Sequence, residues 1–240
     1  MGTSISVVIP ALDEEDVIAT AVRSVRDQAE VIVVDGGSHD ATREMAEKEG
    51  ARVLVTGRGR GLQLDAGARA ASGEWVVFLH ADTRLETGWA SALLALPAGV
   101  AGGAFELSID SPRPAFRLIE LAVRCRVRLL GLPYGDQALF VRRALYAGTG
   151  GVPHLPLMED VAFVRRLARA GPLAWVPLRA RTSARRWERL GVVATTLRNW
   201  SLIALYGAGV PAERLARLYH AGRPAEPAPS RLDRPPDGPL

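Results

Sequence analysis

Up to residue 82 the chain alternates short, uninterrupted apolar runs with longer stretches that carry one apolar face. ISVVIP (5–10), EVIVVD (30–35), RVLVTG (52–57) and EWVVFLH (74–80) read as strands with too little polar character to leave a face in water. Residues 14–28 place Val17, Ile18, Ala21, Val22 and Val25 at helical spacing. Residues 40–50 read as a helix capped by Asp40 and stopped by Gly50, and residues 62–71 as a third helix. Doubly buried strands separated by helices predict an α/β fold. Its sheet is mostly parallel, covered on both faces and joined by right-handed crossovers.

Beyond Asp82 the rhythm breaks. GGAFELSI (102–109) alternates enough for an antiparallel or edge strand, 116–130 reads as a helix, and QALFVRR (137–143) as a short strand. Residues 158–170 have helical spacing, LAWVP (173–177) and RARTS (179–183) read as two short strands, and 191–206 as a long, mostly apolar helix. Six prolines fall within 224–240, which predicts a disordered tail behind a single domain spanning 1–223.

Composition narrows the classes. At 240 residues, 48% hydrophobic and 23% charged, the chain suits a soluble globular domain with a full core. One cysteine, Cys125, excludes an internal disulfide framework and fits a reducing, cytoplasmic compartment. No basic segment precedes an apolar stretch at the N-terminus, so no signal peptide is expected. MGTSIS matches a myristoylation pattern, but Ser6 already belongs to the first strand. The net charge of +4 suggests anionic partners, yet 29 of the 30 basic residues are arginine, a bias of the whole chain rather than of one site. No nucleic-acid-binding module is present, and no nucleic-acid partner is expected. Thr195, Thr196, Arg198 and Asn199 make 191–206 too polar to span a bilayer. Packing is its first role, and a peripheral contact at the inner membrane face its second.

Ligands of open α/β sheets sit outside the carboxyl ends of the strands. Here those ends deliver Asp13-Glu14-Glu15, Asp35, Arg58-Gly59-Arg60-Gly61 and His80-Ala81-Asp82. The first loop, PALDEED, has four acids and no glycine, so it cannot cradle a pyrophosphate as a dinucleotide fingerprint does. No G-x-x-x-x-G-K loop is present either. Phosphates would then be neutralised by a divalent ion on Asp82, with His80 beside it.

SVVIPALDEE, VIVVDGGSHDAT, GRGRGLQLDAGARAASGEWVVFLHADT and MED, in this order, resemble a family 2 glycosyltransferase of the GT-A fold over roughly residues 5–190. LPYGDQALFVRR, LPLMEDVAFVRRL and TSARRW resemble a narrower bacterial subgroup associated with proposed arsenosugar biosynthesis. The resemblance implies a Rossmann-like donor half (1–100) and a smaller mixed acceptor half (101–223). It implies inverting transfer from a nucleotide sugar, UDP-sugar first, to an acceptor hydroxyl on a small molecule or lipid. It places Pro10, Ala11, Asp13, Glu14 and Asp35 at the donor nucleoside, and Arg60, Gln63 and Asp65 on the segment closing over the donor. Asp82 falls on the last acid of the D-x-D metal motif, with Ala81 and His80 before it, and the metal is Mn2+ or Mg2+. Asp160 falls on the catalytic base, with Glu159 beside it. Asp136 is the second candidate for the base and, with Gln137, for the acceptor. Arg186-Trp187 resembles part of the Q-x-x-R-W motif. The chain departs from the family at Gly36, where a second aspartate is usual, and at His80, which replaces the first acid of D-x-D. Asp65 and Ser183 stand where asparagine and glutamine are common. Two rivals remain. A sugar-phosphate nucleotidyltransferase would need a Gly-rich, lysine-bearing loop, which is missing. A non-catalytic nucleotide- or lipid-binding relative would bind the donor without turning it over.

Overall fold

The computed structural model describes residues 4–220, so the proline-rich 224–240 and the start of MGTSIS lie outside the described residues. The chain order is β1 (Ile5–Ala11), α1 (Ile18–Arg23), β2 (Glu30–Asp35), α2 (Thr42–Lys48), β3 (Arg52–Val55), α3 (Arg60–Ala70) and β4 (Trp75–Phe78). There follow β5 (Thr83–Leu85), α4 (Trp89–Leu94), β6 (Gly102–Asp110), α5 (Pro114–Leu130), β7 (Phe140–Arg142) and α6 (Arg143–Tyr146). The last elements are α7 (Glu159–Ala170), β8 (Leu173–Ser183), α8 (Arg185–Leu190), α9 (Val192–Gly207) and α10 (Ala212–His220).

Among the described residues the strands form one eight-stranded sheet in the order β3-β2-β1-β4-β7-β6-β8-β5. The pairs β1–β2, β1–β4, β2–β3 and β6–β8 are parallel, and β7 and β5 run antiparallel to their neighbours. Successive side chains of a strand point to opposite faces. Val7, Ile9, Val33 and Val77 therefore pack with α1, α2 and α4 on one side, while Val8, Ile32, Val34 and Phe78 pack with α3 and α7 on the other. This double burial is why β1, β2 and β4 read as unbroken apolar runs. Each large side chain taken fully from water contributes about 1.5–3 kcal/mol. Gly67 lets α3 lie directly on the sheet, because a Cβ there would overlap the methyl groups of Val8 and Val34.

Three expectations change. The helix expected over 14–28 is α1 alone, because Glu14 N and Glu15 N donate to Thr42 Oγ1 (2.8 Å) and Asp40 Oδ2 (3.1 Å) and are drawn into the loop before α2. The strand over 102–109 is interior: β6 lies between β7 and β8, and Gly102 and Gly103 give both neighbours room. The two strands over 173–183 are one, β8. Its register against β6 jumps from Phe105↔Val176 to Glu106↔Arg179, so Pro177 and Leu178 sit in a bulge and the missing proline N–H interrupts the ladder without ending the strand.

Candidate active site

The carboxyl ends of β1, β2 and β4 meet at one edge of the sheet, and their polar residues divide into two groups. The first group builds loops. Asp35 is fully buried, and its carboxylate accepts the N–H groups of Gly37 and Ser38 at 3.0 Å as well as the Ser38 hydroxyl. Asp13, in the left-handed region at φ 52°, accepts the His39 N–H at 2.8 Å and donates its own N–H to Ser38 Oγ at 2.9 Å. These two acids tie the β1 and β2 loops together. Gln63, buried on α3, donates both protons of its amide, to Ala11 O and Val34 O at 2.8 Å each. It thereby pins α3 across the ends of β1 and β2. A Cβ on residue 36 would approach the Gln63 amide to 3.1 Å, which accounts physically for glycine there. Pro10 and Ala11 lie in register with Val34 and Asp35, and Ala81 is buried in the core.

Asp65 also belongs to the building group. Its carboxylate accepts the Tyr146 hydroxyl (2.7 Å) and Arg69 Nε (2.9 Å), with His154 Nε2 at 3.3 Å. Burial alone would raise its pKa, but the bonds from Arg69, Tyr146 and His154 outweigh burial and lower it. Tyr146 Oη accepts the Val152 N–H at 3.0 Å in turn, so this network fastens the segment that leads to Met158 onto α3. Burial first, and the neighbouring Asp65, push the Tyr146 hydroxyl well above its ordinary range.

The second group faces a cavity. Arg60, His80, Gly135, Glu159 and Asp160 line one pocket, floored by Phe78 and Phe163. A methyl group placed on Gly135 would sit 3.2 Å from both His80 Nε2 and Asp160 Oδ2, so these two side chains share one small space. Asp160 starts α7 and accepts two backbone N–H groups at 2.8 Å, Gly135 through Oδ2 and Val161 through Oδ1. Its neighbour Glu159 lines the same pocket, is 3% exposed, and pairs with Arg60 Nη1 at 3.2 Å. Burial raises the Glu159 pKa against the pull of Arg60. Glu159 in turn raises that of Arg60, helped by Asp160, Tyr219 and Asp82 against burial. Met158, at φ 66°, makes a sharp entry into α7 just before the two acids. Non-glycine residues held there cost about 1–3 kcal/mol and cluster at functional sites.

A turn closes β4, with Thr83 N donating to His80 O at 3.0 Å, and it separates His80 from Asp82. His80 lies on the Asp160 side. Asp82 faces Arg185 Nε at 3.5 Å, and Arg185 also pairs with Glu14. Burial works against the Arg185 charge, but Glu14, Asp82 and Asp16 outweigh it and raise its pKa. In the TSARRW stretch Arg185, one residue before the expected Arg186-Trp187, reaches the strand ends. The signal was its position one residue earlier, about 100° round the helix. The Arg186 side chain lies outside the described residues. Trp187 packs edge-on against Phe116, ring centroids 6.1 Å apart. Asp136 and Gln137 form a tight turn before β7. Gln137 is buried and bonds Phe105 O, Tyr134 N and Arg126, and Asp136 is part-buried beside it. Among the described residues no three of His, Cys, Asp and Glu cluster as a ready-made metal cage.

Residues 6–106 match the family model described as glycosyl transferase family 2. This stretch is therefore similar to a family 2 glycosyltransferase domain. It holds the sheet edge, Gln63 and Asp82, while Asp160 and Arg185 come from beyond it. Among curated proteins, the glucosyl-3-phosphoglycerate synthase of Mycolicibacterium paratuberculosis is 38% identical over 95 residues, covering 34% of this chain and 29% of that protein. The glycosyltransferase AglJ of Haloferax volcanii is 43% identical over 61 residues, covering 24% of this chain and 20% of that one. The alignments thus span well under half of these relatives. Among solved structures, glucosyl-3-phosphoglycerate synthase from Mycobacterium tuberculosis, in complex with Mn2+, UDP and phosphoglyceric acid, superposes with a TM-score of 0.55 at 26% identity. That match covers 74% of this chain and 69% of the other. The mostly parallel sheet flanked by helices is thus the GT-A glycosyltransferase fold.

Proposed function

We propose that this chain transfers a sugar from a nucleotide-sugar donor, UDP-sugar first, to an acceptor hydroxyl with inversion at the anomeric carbon. The observation that carries the reading is the convergence of Asp160 with His80 and Arg60 on one cavity at the carboxyl end of β4. The similar mycobacterial structure, which holds UDP and Mn2+, supports the donor class. Asp160 is the general base. Both its oxygens are fixed by backbone N–H groups, and a carboxylate oxygen that accepts one bond keeps a second lone pair with which to take an acceptor proton. Glu159 positions Arg60 rather than taking a proton. Inversion follows from a single displacement, with the hydroxyl attacking opposite the departing diphosphate.

The residues present fit a divalent cation. Asp82 is a carboxylate at a strand tip, 17% exposed, and Mg2+ is commonly held by one or two carboxylates with substrate phosphates completing the shell. His80 is the second candidate ligand. Once bound there, Mn2+ or Mg2+ would offset charge growing on the diphosphate leaving group. Arg185, poised between Glu14 and Asp82, stands within reach of the same charge. Donor and acceptor halves at 1–100 and 101–223, and a cytoplasmic setting suited to the lone cysteine, complete the reading. The acceptor is a small molecule or a lipid. The LPYGDQ and LPLMED stretches favour the arsenosugar-associated subgroup for it.

The test is a thermal-shift screen of UDP-, GDP- and dTDP-sugars with and without Mn2+, followed by a donor-turnover assay on the best binder. A Mn2+-dependent shift with UDP-sugar and measurable turnover is expected. Binding without turnover, with every acceptor class tried, would leave a nucleotide-binding protein in its place.

A further inference from the structure

The helix α5 turns one apolar face into the core and another into solvent. Phe116, Val123 and Val127 are buried against β6 and Ala184. On the opposite side Leu118, Leu121, Cys125 and Leu129 follow one another at intervals of three, four and four residues, which makes a single stripe along the helix. Leu118 is 70% exposed and Leu129 82%, values that packing within the chain does not explain. Arg117, Arg124 and Arg128 run along one flank of this stripe and are all exposed. The only acid of the helix, Glu120, is turned inward, where it accepts the Ile109 N–H at 2.6 Å and pairs with Arg117. The outward face is therefore leucine edged with arginine; Arg117 pairs with Glu120 and Arg124 with Glu106 (3.2 Å) at its inner margin, and Arg128 adds a charge beyond these pairs.

The next apolar surface lies close by. Val192, the first residue of α9, packs onto the same Phe116–Val123 cluster. Along α9, Val193, Leu197 and Trp200 are exposed in sequence, Leu197 at 61% and Trp200 at 54%. The inner face of α9 sets Leu202 against Tyr134, Met158 and Val161, the surroundings of Asp160. No helix among the described residues is long and apolar enough to cross a membrane.

We infer that α5, with α9 beside it, docks on an anionic lipid bilayer, the leucine stripe in the interface and the arginine row at the headgroups. A leucine stripe edged with basic residues is the pattern of a helix that lies in the membrane plane. Each arginine near an anionic surface adds attraction equivalent to about a fivefold gain in partitioning. Charge decides against a second copy of this chain. The face keeps a net positive charge, since its three arginines meet only Glu120 and Glu106, and a two-fold contact through α5 would bring two such positive faces together. The sequence pointed to membrane contact at 191–206 alone, and the exposed stripe of α5 is what the fold adds. The inference does not depend on the transfer reaction.

The experiment is flotation of the full chain with vesicles of phosphatidylcholine and of a phosphatidylcholine–phosphatidylglycerol mixture. Binding is expected to the anionic vesicles only and to weaken with added salt. The double variant Leu118→Ser, Leu129→Ser should lower partitioning about tenfold or more. So should Arg124→Glu with Arg128→Glu, by about tenfold or more. All four side chains are exposed, so both variants should stay folded and donor-induced thermal shifts should persist; the arginine pair, which gives up the Arg124–Glu106 ion pair, should melt a few degrees lower. Three results overturn the inference: no binding of the parent chain to anionic vesicles, equal binding by both double variants, or a dimer in sedimentation that the leucine variant dissolves. The last would make a second copy the occupant of this face.

Discussion

Replacing Asp160 by Asn separates the chemistry of the site from its architecture. The Asp160 carboxylate accepts one N–H through each oxygen, from Gly135 and from Val161, both at 2.8 Å. An amide keeps one acceptor oxygen and turns an NH2 toward the second backbone donor. One part-buried N–H then loses its partner, at a cost of about 1–2 kcal/mol. For a chain of this length each kcal/mol lowers the melting temperature by about 2–4 °C, so the variant should melt about 2–8 °C below the parent and stay folded at 25 °C. The effect on rate is of a different order. Loss of a general base costs about 10² to 10⁴ in turnover, equivalent to about 3–5 kcal/mol of barrier. The assay is threefold: melting temperature, calorimetric binding of the donor with Mn2+, and initial rate of transfer. The expected result is a small stability loss, donor affinity within a few-fold of the parent, and a collapse in rate. Transfer within about tenfold of the parent would refute the role of Asp160. So would finding that Asp136→Asn is the variant that binds donor and cannot transfer, which would move the base to the turn before β7.

Asp82→Ala should abolish Mn2+-dependent donor binding in calorimetry while leaving the fold intact; binding unchanged in the presence of Mn2+ would place the cation elsewhere. Gln63→Glu turns a donor toward the Ala11 and Val34 carbonyls into an acceptor; Ala11 O keeps the Gly36 N–H at 2.9 Å, but both carbonyls then face a carboxylate oxygen, so a loss of about 1–3 kcal/mol in chemical denaturation is expected, and a variant as stable as the parent would contradict the geometry. The lowered pKa of Asp65 contributes stability that is complete above the unfolded carboxylate range and fades as pH falls through the lower folded value. Asp65→Asn should therefore cost most near neutrality and little in strong acid, so the stability curves of parent and variant converge on acidification; a constant gap across pH would refute this. Tyr146→Phe removes the hydroxyl bond to Asp65 and leaves the buried Val152 N–H unpaired, at a cost of about 1–3 kcal/mol by the same measurement.

The first four strands could be read from the sequence because each needs apolar residues on both faces, so burial writes itself as a continuous run. The elements that escaped notice lack such a local signature. Thr83–Leu85 is three residues long and is a strand only because Thr182 and Ala180 lie opposite it, on a chain segment nearly a hundred residues further on. The helix Arg185–Leu190 follows a strand without a glycine or proline to mark the change. At Pro177 the opposite error arises, since a proline that would end most strands here sits in a bulge that one long strand tolerates.

Function separates in the same way into address and task. That polar residues at strand ends gather at one edge follows from parallel topology and was visible in advance. Which of them face a ligand depends on partners far away in the chain. Asp35 and Asp13 stand at the right edge, and their carboxylates are taken up by Ser38 and His39 in the loop between β2 and α2. Asp65 is held by Tyr146 and His154, 81 and 89 residues away. Arg185 gains its place through Glu14, 171 residues away. Glu159 and Asp160, adjacent on α7 and expected to diverge by about 100°, both border one cavity; Glu159 is held there by Arg60 and Asp160 by the Gly135 N–H. Where a distant partner competes for a side chain, only the fold assigns it.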